Sequence, residues 1–87
     1  MSEKPTLKVN LFWSPALGQE GFSGEAWAVS SANKVGKFDI LPHHSNFITQ
    51  VFDNLTIHTL EKKDLNFKFA RGVLEVSQDQ VKIFLGI

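Results

Sequence analysis

Two adjacent histidines, His43 and His44, are the first residues whose type suggests chemistry. Neighbours on an extended chain point to opposite faces, so such a pair rarely ligates one metal. Asp39 and His58 would join them only if the fold happened to gather them. With no cysteine in the chain, a zinc-thiolate site, a thiol nucleophile and a disulfide framework are all excluded. No metal site is therefore expected. Gly21-Phe22-Ser23-Gly24 falls one position short of the G-x-S-x-G nucleophile elbow and lacks its strand-to-helix setting. Gly18, Gly21 and Gly24 recur at intervals of three, but no Gly-Lys-Ser/Thr follows, so a phosphate loop is not expected. The carboxylates are scattered. These residues predict no catalytic site and no cofactor.

The composition narrows the function classes further. Eighty-seven residues make one small domain that buries about 60–65% of its unfolded surface. Nine basic and nine acidic side chains cancel. That balance disfavours nucleic acid, whose binding depends on neutralising phosphates, and a polybasic membrane anchor. Residues 1–6 lack the apolar core of a signal peptide, and no run reaches the ~20 apolar residues of a membrane span. The reading is a soluble, cytosolic protein. Eight Phe and two Trp exceed what one thin core needs. Phe67 and Phe69 lie on an apolar phase and are assigned to the core. Phe12, which breaks the alternation of its strand, and Phe47 are candidates for an exposed docking patch.

The elements that must position these residues are strands. Residues 1–6 are polar with a proline and read as a flexible terminus; residues 7–87 form one domain. Leu7, Val9, Leu11 and Trp13 alternate with polar residues, as in a half-buried strand. Residues 16–24 read as a loop, 26–30 as a strand, and 31–37 as a polar loop carrying Lys34 and Lys37. Residues 38–41 and 47–52 read as strands separated by a corner at His43, His44, Ser45 and Asn46. Asp53-Asn54 reads as a turn, residues 55–60 as a strand, residues 61–64 as a hairpin tip and residues 65–69 as a strand. A bend or bulge at Arg71-Gly72 precedes a last hairpin, with residues 73–76 and 81–85 flanking the turn at 77–80. No window has a helical period. Strand signals every eight to twelve residues predict an antiparallel β-sandwich or barrel. Val9, Leu11, Phe38, Ile40, Ile57, Phe67, Phe69, Val81 and Ile83 are the expected core.

The same residues carry a resemblance. Gly36, Ile40-Leu41-Pro42, His44 and the apolar strand after it resemble the signature of the epsilon subunit of F-type ATP synthases. Arg71-Gly72-Val73-Leu74-Glu75-Val76, a polar turn, then Val81-Lys82-Ile83-Phe84 resemble that family's glycine–apolar–Glu-Val hairpin. Phe22-Ser23-Gly24-Glu25-Ala26 resembles the start of its second strand. The motifs come in family order and cover residues 7–85, which corresponds to the family's N-terminal domain. The resemblance implies a flattened antiparallel β-sandwich without the C-terminal helical hairpin, where inhibition and ATP binding largely reside; neither is assigned here. It implies a non-catalytic rotor-stalk subunit that binds the gamma subunit and the c ring and couples ion-driven rotation to ATP synthesis. It would sit in a peripheral complex on the cytoplasmic face of a bacterial inner membrane, or the organellar equivalent, and touch the membrane only through the complex. His44 matches the family histidine, and His43 replaces its usual glycine. Phe12, His44, Ser45 and Phe47 are expected to meet the gamma subunit. This expects the first strand to pair with the corner strand, bringing Phe12 and Phe47 together. The loop with Lys34 and Lys37 is expected to face the c ring, with Lys37 where the family often has an acid. The alternative is an unrelated β-sandwich module that recognises a peptide or carbohydrate. A small barrel-type enzyme is a third option.

Overall fold

In the computed structural model, residues 5–14, 18 and 20–86 are described. Residues 1–4 of the expected terminus and 16, 17 and 19 of the expected loop lie outside the described residues, as do 15 and 87. Six strands run in order: β1 Leu7–Trp13, β2 Phe22–Ala32, β3 Lys37–Ile40, β4 Phe47–Thr59, β5 Asp64–Ser77 and β6 Gln80–Leu85. The described residues contain no helix. The hydrogen-bonded order β1-β6-β5-β4-β2-β3 is closed by pairing of β1 with β2. β3 extends the sheet beside the second half of β2. The extents, 45 × 27 × 19 Å, are those of a flattened body. The family of folds is as expected, with one addition: β1 and β6 pair in parallel, from Lys8↔Gln80 to Trp13↔Leu85.

Strand alternation explains the core. Leu7, Val9 and Leu11 of β1, Leu74 and Val76 of β5, and Val81, Ile83 and Leu85 of β6 are buried. From the other layer come Ala26, Val29, Ile40, Leu55 and Ile57. Of the expected core, Phe38, Phe67 and Phe69 are half-buried and pack against this cluster from its margin. Thr59 and Ser31 are the buried polar residues; Thr59 Oγ1 donates to Lys63 O and Ser31 Oγ donates to Asn54 O, each 2.8–2.9 Å long.

Two strands serve both layers. Asp53-Asn54 is not a turn between strands: β4 runs straight through, and Asp53 takes φ 75 inside it. The partner register jumps from Phe52↔Arg71 to Asp53↔Phe69, so Ala70 of β5 is left over as a bulge. One extra residue flips the facing phase. Hence Leu65, Phe67 and Phe69 face inward before it, and Leu74 and Val76 after it. The bend expected at Arg71-Gly72 falls one residue beyond this bulge. Gly72 is required there because a Cβ would lie 2.4 Å from Phe84 O and 2.8 Å from Leu85 Cδ2.

Candidate protein-docking site

The corner after β3 is built by its own sequence. His44 N donates to Leu41 O at 3.1 Å, which closes a turn with Pro42 and His43 at its centre. Proline presets the first central position, and a positive φ at the second gives a type II turn. His43 supplies it at φ 68, so a histidine holds the left-handed conformation that glycine takes more readily. The strain is offset by Asp79: His43 N donates to its Oδ1 at 2.6 Å, and the ring Nδ1 lies 3.7 Å from Oδ2. Gln78 N donates to Asn46 Oδ1 at 3.3 Å, so the corner is stitched twice to the β5–β6 turn. His44 Nδ1 donates to Ser45 O at 2.7 Å, its ring tilts onto Phe47 at 5.5 Å, and Ser45 is exposed.

The structure brings His44, Ser45 and Phe47 together but not Phe12. β1 pairs with β2 and β6, whereas the first half of β4 pairs with β5. Phe47 lies opposite Val76 and packs half-buried against the core, edge-on to Phe38 at 5.8 Å. It is therefore a margin residue of the core and not an exposed anchor. Phe12 points to the other side of its layer and is 49% exposed, as its break in alternation predicts. Its partner is Phe84 of β6, stacked at 5.4 Å with the rings 19° apart.

The register extends this outer face. Phe12, Phe84, Val73 and Gln50 lie in one row across β1, β6, β5 and β4. Asn10, Lys82, Glu75 and Ile48 form the next row, in which Ile48 is 68% exposed. Phe84 and Ile48 escaped the sequence reading. The signal for Phe84 was available, because it sits on the solvent phase between Ile83 and Leu85. Nothing local marked Ile48.

The opposite layer carries a polar chain. Ser30 Oγ donates to Asp39 Oδ1 at 2.5 Å and lies 2.9 Å from His58 Nε2; His58 Nδ1 lies 2.9 Å from Asp64 Oδ1. Asp39 and His58, weighed as metal ligands, are thus linked through Ser30, while His43 and His44 lie elsewhere. Among the described residues no cluster of three or more metal-ligating side chains forms. The Ser–His–Asp order has the look of a hydrolase triad, but a hydroxyl has one hydrogen, and Ser30 Oγ directs its own to the Asp39 carboxylate. The chain is a strut across β3, β2, β4 and β5.

Lys34 and Lys37 flank the β2–β3 connection. Asn33 and Gly36 exchange backbone hydrogen bonds at 3.0 and 3.2 Å, and Asn33 Oδ1 also accepts from Val35 N and Gly36 N. Both lysines are exposed. Among the described residues the ion pairs are His43–Asp79 and His58–Asp64, and neither lysine takes part.

Residues 17–85 match the β-sandwich domain of the ATP synthase delta/epsilon chain. The chain belongs to that family. No curated protein sequence matches it. The fold is similar to a chain in the mitochondrial ATP synthase of Euglena gracilis, from a structure of OSCP, F1 and c-ring in rotational state 1. There the TM-score is 0.81 and the identity 15%, with 98% of this chain and 53% of that one covered. It is also similar to a chain in the central stalk and c-ring of the mitochondrial ATP synthase of Tetrahymena thermophila. That match has a TM-score of 0.74 at 11% identity, over 99% of this chain and 67% of the other. This chain thus spans about half the length of the Euglena chain and two-thirds of the Tetrahymena chain.

Proposed function

We propose that this domain is a non-catalytic element of the central rotor stalk of an F-type ATP synthase. It holds a gamma subunit to the c ring and so couples ion-driven rotation to ATP synthesis. The observation that carries the proposal is an exposed aromatic stack on a domain of the delta/epsilon family. The Phe12–Phe84 pair, half-exposed in the chain alone, has the character of an interface anchor. In this reading the gamma subunit covers Phe12 and Phe84 and reaches the His44–Ser45 corner, while Phe47 holds the His44 ring from beneath. The Lys34–Lys37 loop faces the c ring. A coupling element must transmit torque without shearing, and a ring of hydrogen-bonded strands closed by β1–β2 suits that demand. The two similar structures named above come from mitochondrial complexes, which is compatible with the organellar form of such a membrane complex.

The test is co-purification with the cognate gamma subunit. Phe12→Ala combined with His44→Ala, confirmed folded by circular dichroism, should weaken capture markedly. Undiminished capture by the double variant would move the docking surface elsewhere. A wild-type chain that captures no gamma subunit would defeat the proposal itself.

A further inference from the structure

The β2–β3 connection carries the most exposed large apolar residue among those described, Val35, and its chemistry has a direction. Asn33 and Gly36 are the residues a tight turn selects at its first and last positions. Asn33 closes the turn through backbone and side chain, and its Nδ2 donates to Thr49 Oγ1 at 3.3 Å, which ties the tip to β4. Neither Lys34 nor Val35 takes a positive φ, so the two central positions carry no conformational demand of their own. What stands there is free to serve what the tip meets. The apex is Val35, a β-branched apolar residue 95% exposed, where turns ordinarily place polar residues. Lys34 and Lys37 flank it, both exposed and neither paired with a carboxylate among the described residues.

We propose that this tip is a preformed cationic plug: Val35 enters an apolar recess, and Lys34 and Lys37 pair with carboxylates on its rim. The inference rests on the c ring being this loop's neighbour, and it adds that the ring loop that meets the tip is acidic around an apolar centre. Charge complementarity selects the occupant. Two cations without a carboxylate partner among the described residues, set around an apolar residue on a chain of zero net charge, match a small acidic protein surface. An anionic lipid surface is read by roughly four to eight clustered basic residues, and the tip has only two. The turn is already closed, so little ordering cost is left for binding.

The experiment uses the full chain and the cognate c ring in detergent, with the gamma subunit present, and measures affinity at low and high salt. Wild-type affinity should fall as salt rises. The Lys34→Glu/Lys37→Glu variant should bind about tenfold more weakly at low salt. Val35→Ser should lose about tenfold at both salt levels, because its contribution is apolar burial. Vesicles of phosphatidylcholine with phosphatidylserine should capture none of these chains. Equal or tighter binding by the double glutamate variant overturns the plug while leaving the c-ring reading intact. Capture of the wild type by the anionic vesicles overturns it in favour of lipid. A wild-type chain that ignores the c ring overturns both readings.

Discussion

The two outer faces of this domain share β4 and β5 and solve opposite problems. On one, Ser30, Asp39, His58 and Asp64 satisfy one another across β3, β2, β4 and β5. On the other, Phe12 and Phe84 stack but leave 49% and 39% of their surfaces in water, with Ile48 nearby. A polar group already hydrogen-bonded gains little from a partner, because binding exchanges one bond for another. Apolar surface left in water gains on any burial, by about 25 cal/mol per Å2. The contrast therefore favours the Phe12–Phe84 face as the proposed docking surface.

The largest expected effect comes where the faces are joined. β4 and β5 cross from one layer to the other at the Ala70 bulge, and Gly72 follows it. In Gly72→Ala the new Cβ would meet the backbone carbonyl of Phe84 at 2.4 Å, which no side-chain movement relieves. A loss of about 2–3 kcal/mol is expected, a large part of the stability of so small a domain. Urea unfolding measures it. A loss under about half a kcal/mol would mean that the layers tolerate a shift at this crossing.

Next comes the comparison itself. Phe12→Ala with Phe84→Ala should weaken gamma-subunit binding by more than about 2 kcal/mol, roughly thirtyfold, in titration calorimetry. Folding should suffer far less, since both rings are already half in water. His58→Ala should do the reverse. It removes two hydrogen bonds at a partly exposed position, for about 1 kcal/mol of stability, and leaves gamma-subunit binding unchanged. Loss of binding in His58→Ala, without loss in the aromatic pair, would exchange the roles of the two faces.

How much of this was legible depends on the range of the interaction. The alternation of β1 and β6, the phase flip between Phe69 and Leu74, and the exposure of Phe12 are local and readable. Asp53 misled because the property that suits it to a turn, tolerance of positive φ, equally suits it to a bulged strand. The partner of Phe12 was not readable at all. It depends on β1 lying parallel to β6, whose residues are some seventy positions away, whereas the sequence reading paired β1 with the corner strand. Likewise Ser30, His58 and Asp64 meet only because β2, β4 and β5 are neighbours in this register. Pairing between distant strands decided where the candidate site lies.

The smallest expected effect probes the turn that pins the His43 corner beside the aromatic face. Gln78 and Asp79 take φ 49 and 62, the pair of left-handed conformations that a two-residue type I′ hairpin requires. Glutamine is poorly suited to the first position, and asparagine is among the residues that favour it. Gln78→Asn should therefore stabilise the fold by about half a kcal/mol, read as a raised urea midpoint at unchanged slope. Glycine would relieve the second position in the same way, but there the side chain matters: Asp79 Oδ1 accepts from His43 N at 2.6 Å. A charge-assisted bond of this kind exceeds the gain from relaxing one left-handed residue. Asp79→Gly should thus lower stability even though its turn becomes easier to form. If Asp79→Gly proved as stable as Gln78→Asn, the carboxylate would not be holding the corner, and the placement of His44 and Ser45 beside the β5–β6 turn would need another cause.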